Sequence, residues 1–334
     1  MDFKRFIKVK TKIKKGFFKI LKLIDKRENT SILYNKDEFR LRNYFLYIFS
    51  KDIFEYLLKN NINVDKFIEN LDDISQNTVK LILNRVKYIY THNFLDKKKL
   101  TSYEESLEGQ KVAKFISIMK KQFKLNLQIY DSSVFYYSSG LKFLSLKEIE
   151  FLINKDFIDG GAFIGDSSLI YEKFYHPKKI YAFEPEIQNY NLIFKTIEEN
   201  NLKKIIPVHK GLGKKEEILN ISFHGPSSFI DNQVQQKASI ITLDKFVFEN
   251  NLNVGFIKLD IEGLELEALR SAKQTIKTFK PILSIAIYHN GREFFETMYE
   301  IRSICSDYKF IIRKLNPFSP FFETFLIAWY DPQK

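Results

Sequence analysis

Two short segments constrain this chain more than anything else in it: Phe157–Ser168, reading FIDGGAFIGDSS, and Ile180–Glu186, reading IYAFEPE. An apolar run ends in Asp159, meets the small-residue turn Gly160-Gly161-Ala162, and is followed by Gly165, which opens the next element. Small residues at such a place let a strand turn sharply into a helix while backbone amides face a ligand. The second apolar run ends at Glu184, nineteen residues after Gly165, where a carboxylate can accept both hydroxyls of a ribose. Together they predict the first two strands of an α/β nucleoside-binding domain.

The spacing also discriminates between nucleosides. A dinucleotide turn, G-x-G-x-x-G, needs its middle glycine so that backbone can approach a pyrophosphate, and here Ala162 stands between Gly160 and Gly165. NAD and FAD are disfavoured. S-adenosylmethionine (SAM) carries an adenosine without phosphate, and asks for a small-residue turn at its amino-acid end and an acid at its ribose. A third segment, FIKLDIEGLELEALRSA at Phe256–Ala272, reads as a strand with Lys258 inside its apolar run, ending in Asp260, then Glu262-Gly263 and a helix with Leu264, Leu266 and Leu269.

Taken together, the three segments resemble the FkbM-type SAM-dependent methyltransferases, whose pattern is a D-x-G-A-N-x-G turn, an F-E-P strand end and a K-x-D-x-E-G segment. The matching residues are Asp159, Gly161, Ala162 and Gly165, then Phe183-Glu184-Pro185, then Lys258, Asp260, Glu262 and Gly263, with Phe163 where Asn is usual. The likeness runs on through Tyr288-His289, Tyr308, Arg313 and Glu323-Thr324, over roughly residues 130–330. It implies an α/β, class I methyltransferase (Rossmann-like) domain with a mostly parallel seven-stranded sheet, SAM as cofactor, and methyl transfer to hydroxyls of natural products or glycans.

The strand and helix pattern agrees. From Asp156 onward the two alternate, with strands expected near 156–159, 180–184, 205–208, 255–260, 282–287, 308–314 and 324–330. Only about nine residues, Leu315–Glu323, separate the last two, too few for a helical crossover, so an antiparallel pair is expected. His209–Ser239, with Gly211, Gly213 and Gly225-Pro226-Ser227-Ser228, reads as an inserted hairpin and loop over the site. Residues 30–125 read as helices, with Ser50 and Ser102 as N-caps and Glu105 completing a capping box after Ser102. Leu127–Tyr137, richer in β-branched and aromatic residues, is expected to be a strand pair joining the two parts. The division expected is a basic helix over 1–27, a helical region over 28–125 and the methyltransferase domain over 126–334.

Charge is concentrated at one end. Residues 1–27 hold eleven Lys or Arg against Asp2 and Asp25, a net +9 of the chain's +12. On a helical wheel Phe3, Phe6, Ile7, Ile13, Phe17, Ile20, Leu21 and Ile24 share one face and Lys4, Lys8, Lys12, Lys15, Lys19 and Lys22 the other. That pattern fits either a helix lying on an anionic membrane or one packed on the protein with a solvated lysine face. Nucleic acid is not expected as a partner, because the lysines lack a surrounding basic domain with interleaved aromatics. The single cysteine, Cys305, excludes an intramolecular disulfide and a cysteine-based zinc site. With no membrane-length apolar run and no secretory leader pattern, a cytoplasmic location is expected, peripheral at the inner membrane face if the lysine helix binds lipid.

Candidate roles follow from strand ends, where ligands of such sheets sit. The cofactor set is Asp159, Gly160, Gly161, Ala162, Gly165, Glu184 and Asp260. Asp159 either contacts the cofactor's amino group or orients the turn, and Asp260 either binds the methionine end, polarises an acceptor hydroxyl or caps the helix near Gly263. Lys258, costly to bury unpaired, is expected to bond Asp260, Glu262 or the acceptor, and His289 to take a proton near neutrality unless it is structural. Lys258, Asp260 and His289 thus form the catalytic set. Glu262, Arg313 and Glu323 are candidates for gripping a polar substrate, the last two alternatively pairing with each other. No metal-ligand spacing stands out, Asp260 and Glu262 being only two apart. The function expected is O-methylation of a sugar hydroxyl in a bacterial surface polysaccharide or its lipid-linked precursor; the alternatives are an inactive membrane-associated scaffold of the same fold and a nucleotide-dependent oxidoreductase.

Overall fold

The computed structural model describes residues 36–92, 100–224, 227–230 and 236–332. The basic segment 1–27 and the Lys97–Lys99 run lie outside the described residues.

Seven strands form one sheet: β1 (Asp156–Gly160), β2 (Lys179–Phe183), β3 (Ile205–Val208), β8 (Val254–Leu259), β9 (Ile282–Ala286), β10 (Tyr308–Lys314) and β11 (Thr324–Tyr330). Their order across the sheet is β10-β11-β9-β8-β1-β2-β3. All neighbours are parallel except β11, which runs antiparallel to both β9 and β10, as the short connection requires. Chain order reverses between β1 and β8, which opens a crevice beyond their carboxyl ends. β1, β8 and β9 are buried along their whole length, the reason their sequences are continuous apolar runs rather than alternating ones. Beneath β1 and β8, Phe157, Tyr171 and Phe256 pack edge to face with ring centroids 5.2–5.9 Å apart.

The segment after β3 folds into a second, four-stranded sheet from β4 (Gly211–Leu212), β5 (Glu217–His224), β6 (Ser227–Ile230) and β7 (Gln236–Ile241), in the order β4-β7-β5-β6. Leu212, Leu219 and Ile240 of this insertion form a wall of the crevice.

Helices Lys36–Lys59, Val64–Ile68, Asp73–His92 and Tyr103–Gln122 precede the sheet. Val79, Ile82, Val86 and Ile89 of the third bury one helical face. The capping box Ser102–Glu105 forms as expected, each residue's side chain accepting the other's backbone N–H. Ser50 does not cap a helix. It lies inside Lys36–Lys59, on the buried face shared by Leu46 and Ile53, whose periodicity carries the helix past it. These helices also close the open edge of the sheet: the Ile312 N–H of β10 donates to Ser75 Oγ at 2.9 Å, so an edge strand that would invite pairing is covered.

The strand pair expected at Leu127–Tyr137 is absent. Asp131 accepts from both the N–H and Oγ of Ser133 and caps a short helix, Ser132–Phe135, followed by a 3-10 turn over Ser138–Phe143. Local side-chain capping overrides the β preference of the neighbouring residues. Cys305 ends the helix Gly291–Ile304 and is half-buried.

Candidate active site

Glycine is needed in the first turn for two reasons. Gly161 has φ +72°, and a Cβ there would fall 1.8 Å from the carbonyl oxygen of Asp260, so the turn after β1 and the end of β8 touch through backbone. Gly165, at φ +82°, is the N-cap of the helix Asp166–Phe174. The turn's amides do not face a ligand as expected: those of Gly161 and Ala162 donate to the Phe183 carbonyl at 3.1 and 2.9 Å, and that of Gly165 to Ala162. They fasten β1 to β2. What the turn presents to the crevice is Gly161 and Phe163.

Phe163 itself sits at φ +48°, a region where Asn is far commoner than a bulky residue. Its N–H donates to Glu184 Oε2 at 2.9 Å, while the Glu186 N–H donates to Oε1 at 2.9 Å. A carboxylate has about four acceptor sites. Two backbone bonds hold Glu184 in place and leave lone pairs for a ribose. Burial pushes its carboxyl up to about 8 despite those two amides.

Asp159 and Lys258 are register partners on β1 and β8. Their side chains form a buried pair with Nζ 3.4 Å from Oδ1. Lys258 also donates to the carbonyls of Gly161 at 2.8 Å and Gly160 at 3.2 Å. Asp159 accepts in addition from Ser167 and Ser168 Oγ, both at 2.6 Å. Burial works against the ammonium, but Asp159, Asp260 and Asp166 raise its pKa above the ordinary lysine value. Lys258 therefore does not bond Asp260 or Glu262, and its donor contacts hold the glycine turn. The sheet register, which the sequence does not show, decides this.

The acids beyond β8 and β9 form a second group. Asp260 is partly exposed in the crevice, with His289 Nε2 3.5 Å from its Oδ1. Glu262 Oε2 lies 3.5 Å from the same Nε2, and Glu265 Oε1 3.1 Å from Nδ1. Neither ring nitrogen makes an aligned hydrogen bond. Burial alone would keep the ring neutral, yet Glu265, Glu262 and Asp260 outweigh it and raise His289 well above its ordinary value. Glu265 accepts from the amides of Ile261 at 2.7 Å and Gly263 at 3.0 Å, and its own N–H donates to Glu293. Burial and the Glu265 charge push Glu293 up to about 10. One ligand atom each from Asp260, Glu265 and His289 can lie within 4.8 Å of the others. Asp260 does not cap the following helix, since Glu265 takes the local amides.

Tyr288 Oη is 3.2 Å from Asp260 Oδ1 and 3.1 Å from Glu323 Oε1. A phenol has one proton to give. Its O–H lies between the two carboxyls, and burial, then the charges of Asp131 and Asp260, raise Glu323 well above the usual carboxylate range. Arg313 joins neither group. Its guanidinium forks onto Asp72, Nη1 to Oδ1 at 3.1 Å and Nη2 to Oδ2 at 2.5 Å, and ties β10 to the N-terminal helices. The alternative pairing with Glu323 is thereby ruled out.

The resulting cleft, with a cavity volume of about 90 Å³, lies between Gly161, Phe163, Glu184, Asp260, Glu262 and the insertion. Asp159, Gly160, Ala162 and Gly165 stand behind its wall rather than in it. Glu265 and Glu293 were not foreseen: an acid in a helix's first turn reads from sequence as solvated, and only the fold buries these two.

Residues 159–312 match the family model described as the methyltransferase FkbM domain. No curated protein matches the sequence. Among solved structures, the FkbM methyltransferase from Methylobacillus flagellatus KT superposes with a TM-score of 0.57 at 20% identity, over 83% of this chain and 61% of that one. The chain thus spans about three-fifths of that relative's length. An rRNA methylase from Streptococcus thermophilus gives a TM-score of 0.37 at 11% identity, over 56% of this chain and 92% of that one. Over residues 159–312 the chain is thus similar to the methyltransferase FkbM domain, and its fold is that of the Methylobacillus flagellatus enzyme.

Proposed function

We propose that the protein transfers the methyl group of SAM to a hydroxyl of a sugar in a bacterial surface polysaccharide or its lipid-linked precursor. One observation carries the reading: a single cleft is lined by Glu184, by Gly161 of the glycine turn and by Asp260, whose carboxylate accepts from Tyr288. Phe163 and Glu184 would hold the adenosine and ribose of SAM, and Asp260 would face the methyl group that the cofactor supplies. A hydroxyl-rich acceptor finds both donors and acceptors beside Asp260.

Methyl transfer from a sulfonium is an in-line displacement. The acceptor oxygen attacks the methyl carbon, the C–S pair goes to sulfur, and the hydroxyl proton needs a base. Asp260 is that base, because it is in the cleft wall, whereas His289 is 3% exposed and stands behind it. His289 positions Asp260. The lipid-linked form of the acceptor is favoured by the +9 charge of residues 1–27; among the described residues no helix is long and apolar enough to cross a membrane.

Calorimetry with SAM, S-adenosylhomocysteine and NAD tests the cofactor half: SAM and its product bind in the micromolar range and NAD does not. Incubation with methyl-labelled SAM and nucleotide-linked or lipid-linked sugars tests the acceptor half. Label that enters only protein or nucleic acid would sink it. Co-sedimentation with anionic vesicles tests the surface reading, binding falling with salt and on reversal of Lys8, Lys12, Lys15 and Lys19 to Glu.

A further inference from the structure

We infer that a second cavity, adjoining the loop that carries Asp260, binds a neutral polyhydroxylated group: the sugar unit next to the one that is methylated. Its volume is about 240 Å³, and it lies where Gly263 and Glu267 meet the start of the helix Gly291–Ile304 and the helix Lys36–Lys59. Glu262 and Leu264 line the cleft, whereas Gly263 between them lines this cavity, so the two adjoin across the backbone of one loop.

The walls are held by the protein's own bonds. Gly291 brings the two helices together: a Cβ there would fall 2.3 Å from Tyr56 Cβ, and its N–H donates to Asp52 Oδ2 at 2.6 Å. Asn290 Oδ1 accepts the Glu293 N–H at 2.9 Å, and Arg292 Nη1 donates to Glu267 Oε1 at 3.3 Å. Each of these side chains keeps a polar atom over. Among the described residues Asp52 Oδ1, Glu267 Oε2, Asn290 Nδ2 and Arg292 Nη2 have no hydrogen-bond partner, which puts two acceptors and two donors around one cavity. Glu293 also lines it, is almost wholly buried, and has no hydrogen-bond partner for Oε2. Buried polar atoms are nearly always satisfied, so this one marks the place of a ligand group.

The charges narrow the class of ligand. Asp52 and Glu267 disfavour a phosphate, and Arg292 disfavours a metal ion. Glu267 is offset by Arg270 at 3.1 Å as well as by Arg292, and burial with the Glu265 charge keeps Glu293 protonated, so little net charge is left. A hydroxyl gives one hydrogen bond and accepts others. Mixed donors and acceptors with little charge therefore suit adjacent hydroxyls of a sugar, with Tyr56 and Leu266 left for its apolar face. Resting on the sugar-hydroxyl reading above, this makes the acceptor an oligosaccharide, with one unit at Asp260 and its neighbour beyond Gly263.

The experiment is calorimetry of the full chain, without SAM, against mono-, di- and trisaccharide fragments of bacterial surface polysaccharides. At least one disaccharide is expected to bind tenfold or more tighter than either of its component sugars. Asp52→Asn, Glu267→Gln and Asn290→Asp should each weaken it about twofold to tenfold, the range for one lost hydrogen bond. Asn290→Asp keeps the helix cap and Asp52→Asn keeps an acceptor for the Gly291 N–H, so both should melt near the wild-type temperature. No fragment bound tighter than millimolar, a monosaccharide bound as tightly as its disaccharide, or binding unchanged in the triple variant overturns the inference. SAM calorimetry on the same preparations separates the two readings: SAM bound with every fragment unbound removes only the sugar subsite, and fragments bound through these residues without SAM remove only the methyltransferase.

Discussion

Two clusters of acids flank β9–β11, and they are built on opposite terms. At the outer edge, Glu105 is met by Arg85 and Lys314, and Asp72 by Arg313 and Ser75. Although burial works the other way, Arg85 and Lys314 hold Glu105 down at about 2, and Arg313 and Ser75 do the same for Asp72. In the cleft, Asp260, Glu262, Glu265, Glu293 and Glu323 gather around one imidazole and one phenol, and burial drives Glu293 and Glu323 upward. The first cluster is complete within the protein. The second crowds five carboxyls around one imidazole, the kind of charge imbalance that gathers at functional sites.

The contrast is broken most directly at Asp260. Asp260→Asn is expected to slow single-turnover methyl transfer by about a hundredfold to ten-thousandfold while the chain melts near the wild-type temperature. A loss under tenfold would make the acid cluster a passive wall.

At the edge the order reverses, and stability rather than activity should fall. Arg85→Ala removes the guanidinium from Glu105, leaves it only Lys314 and the Ser102 amide, and is expected to cost about 1.5–3 kcal/mol in denaturant unfolding. The pH dependence has a definite sign: with the folded pKa of Glu105 lowered to about 2, its contribution is full above the ordinary value of 4.5 and is lost as pH falls towards 2. Urea midpoints of Glu105→Gln should therefore lack that part of the acid loss.

Glu184 sharpens the comparison, being a cleft acid held only by amides. Glu184→Ala should weaken SAM by about 1–3 kcal/mol. Ribose hydroxyls donate to a carboxylate, so binding favours the ionised form of a group that titrates at about 8 when free. SAM affinity should rise with pH up to about 8 and then level off, with proton release visible as buffer-dependent heat. Glu184→Gln, having no proton to lose, should show neither.

The smallest effect is expected at Asp72, whose side chain is 41% exposed. Asp72→Asn keeps an acceptor for Ser75, and exposed pairs contribute little, so its unfolding free energy should change by under about 1 kcal/mol. A larger loss would mean that the edge clamp, and not the core, holds the N-terminal helices in place.

Legibility in the sequence divided along similar lines. Strand ends were readable because apolar runs stop where Asp159, Glu184 and Asp260 begin, and the antiparallel finish followed from loop length. Partners were not readable. Lys258 chose Asp159 through the β1–β8 register, and Arg313 found Asp72 at 241 positions' separation, which no local pattern encodes. Leu127–Tyr137 misled because Asp131 and Ser133 capped a helix where composition favoured strand. Glu265 and Glu293 carried no mark, since burial of a helical acid is a property of what packs against it.

The missing side chain at Gly161 has a mechanical meaning as well. With Asp260's carbonyl oxygen 1.8 Å from where a Cβ would stand, the glycine turn after β1 and the end of β8 share a partition one backbone thick. Neither can slide past the other. About an ångström of misplacement costs roughly a hundredfold in an in-line displacement, so in the proposed methyl transfer the gap is gauged by the carbon that position 161 lacks.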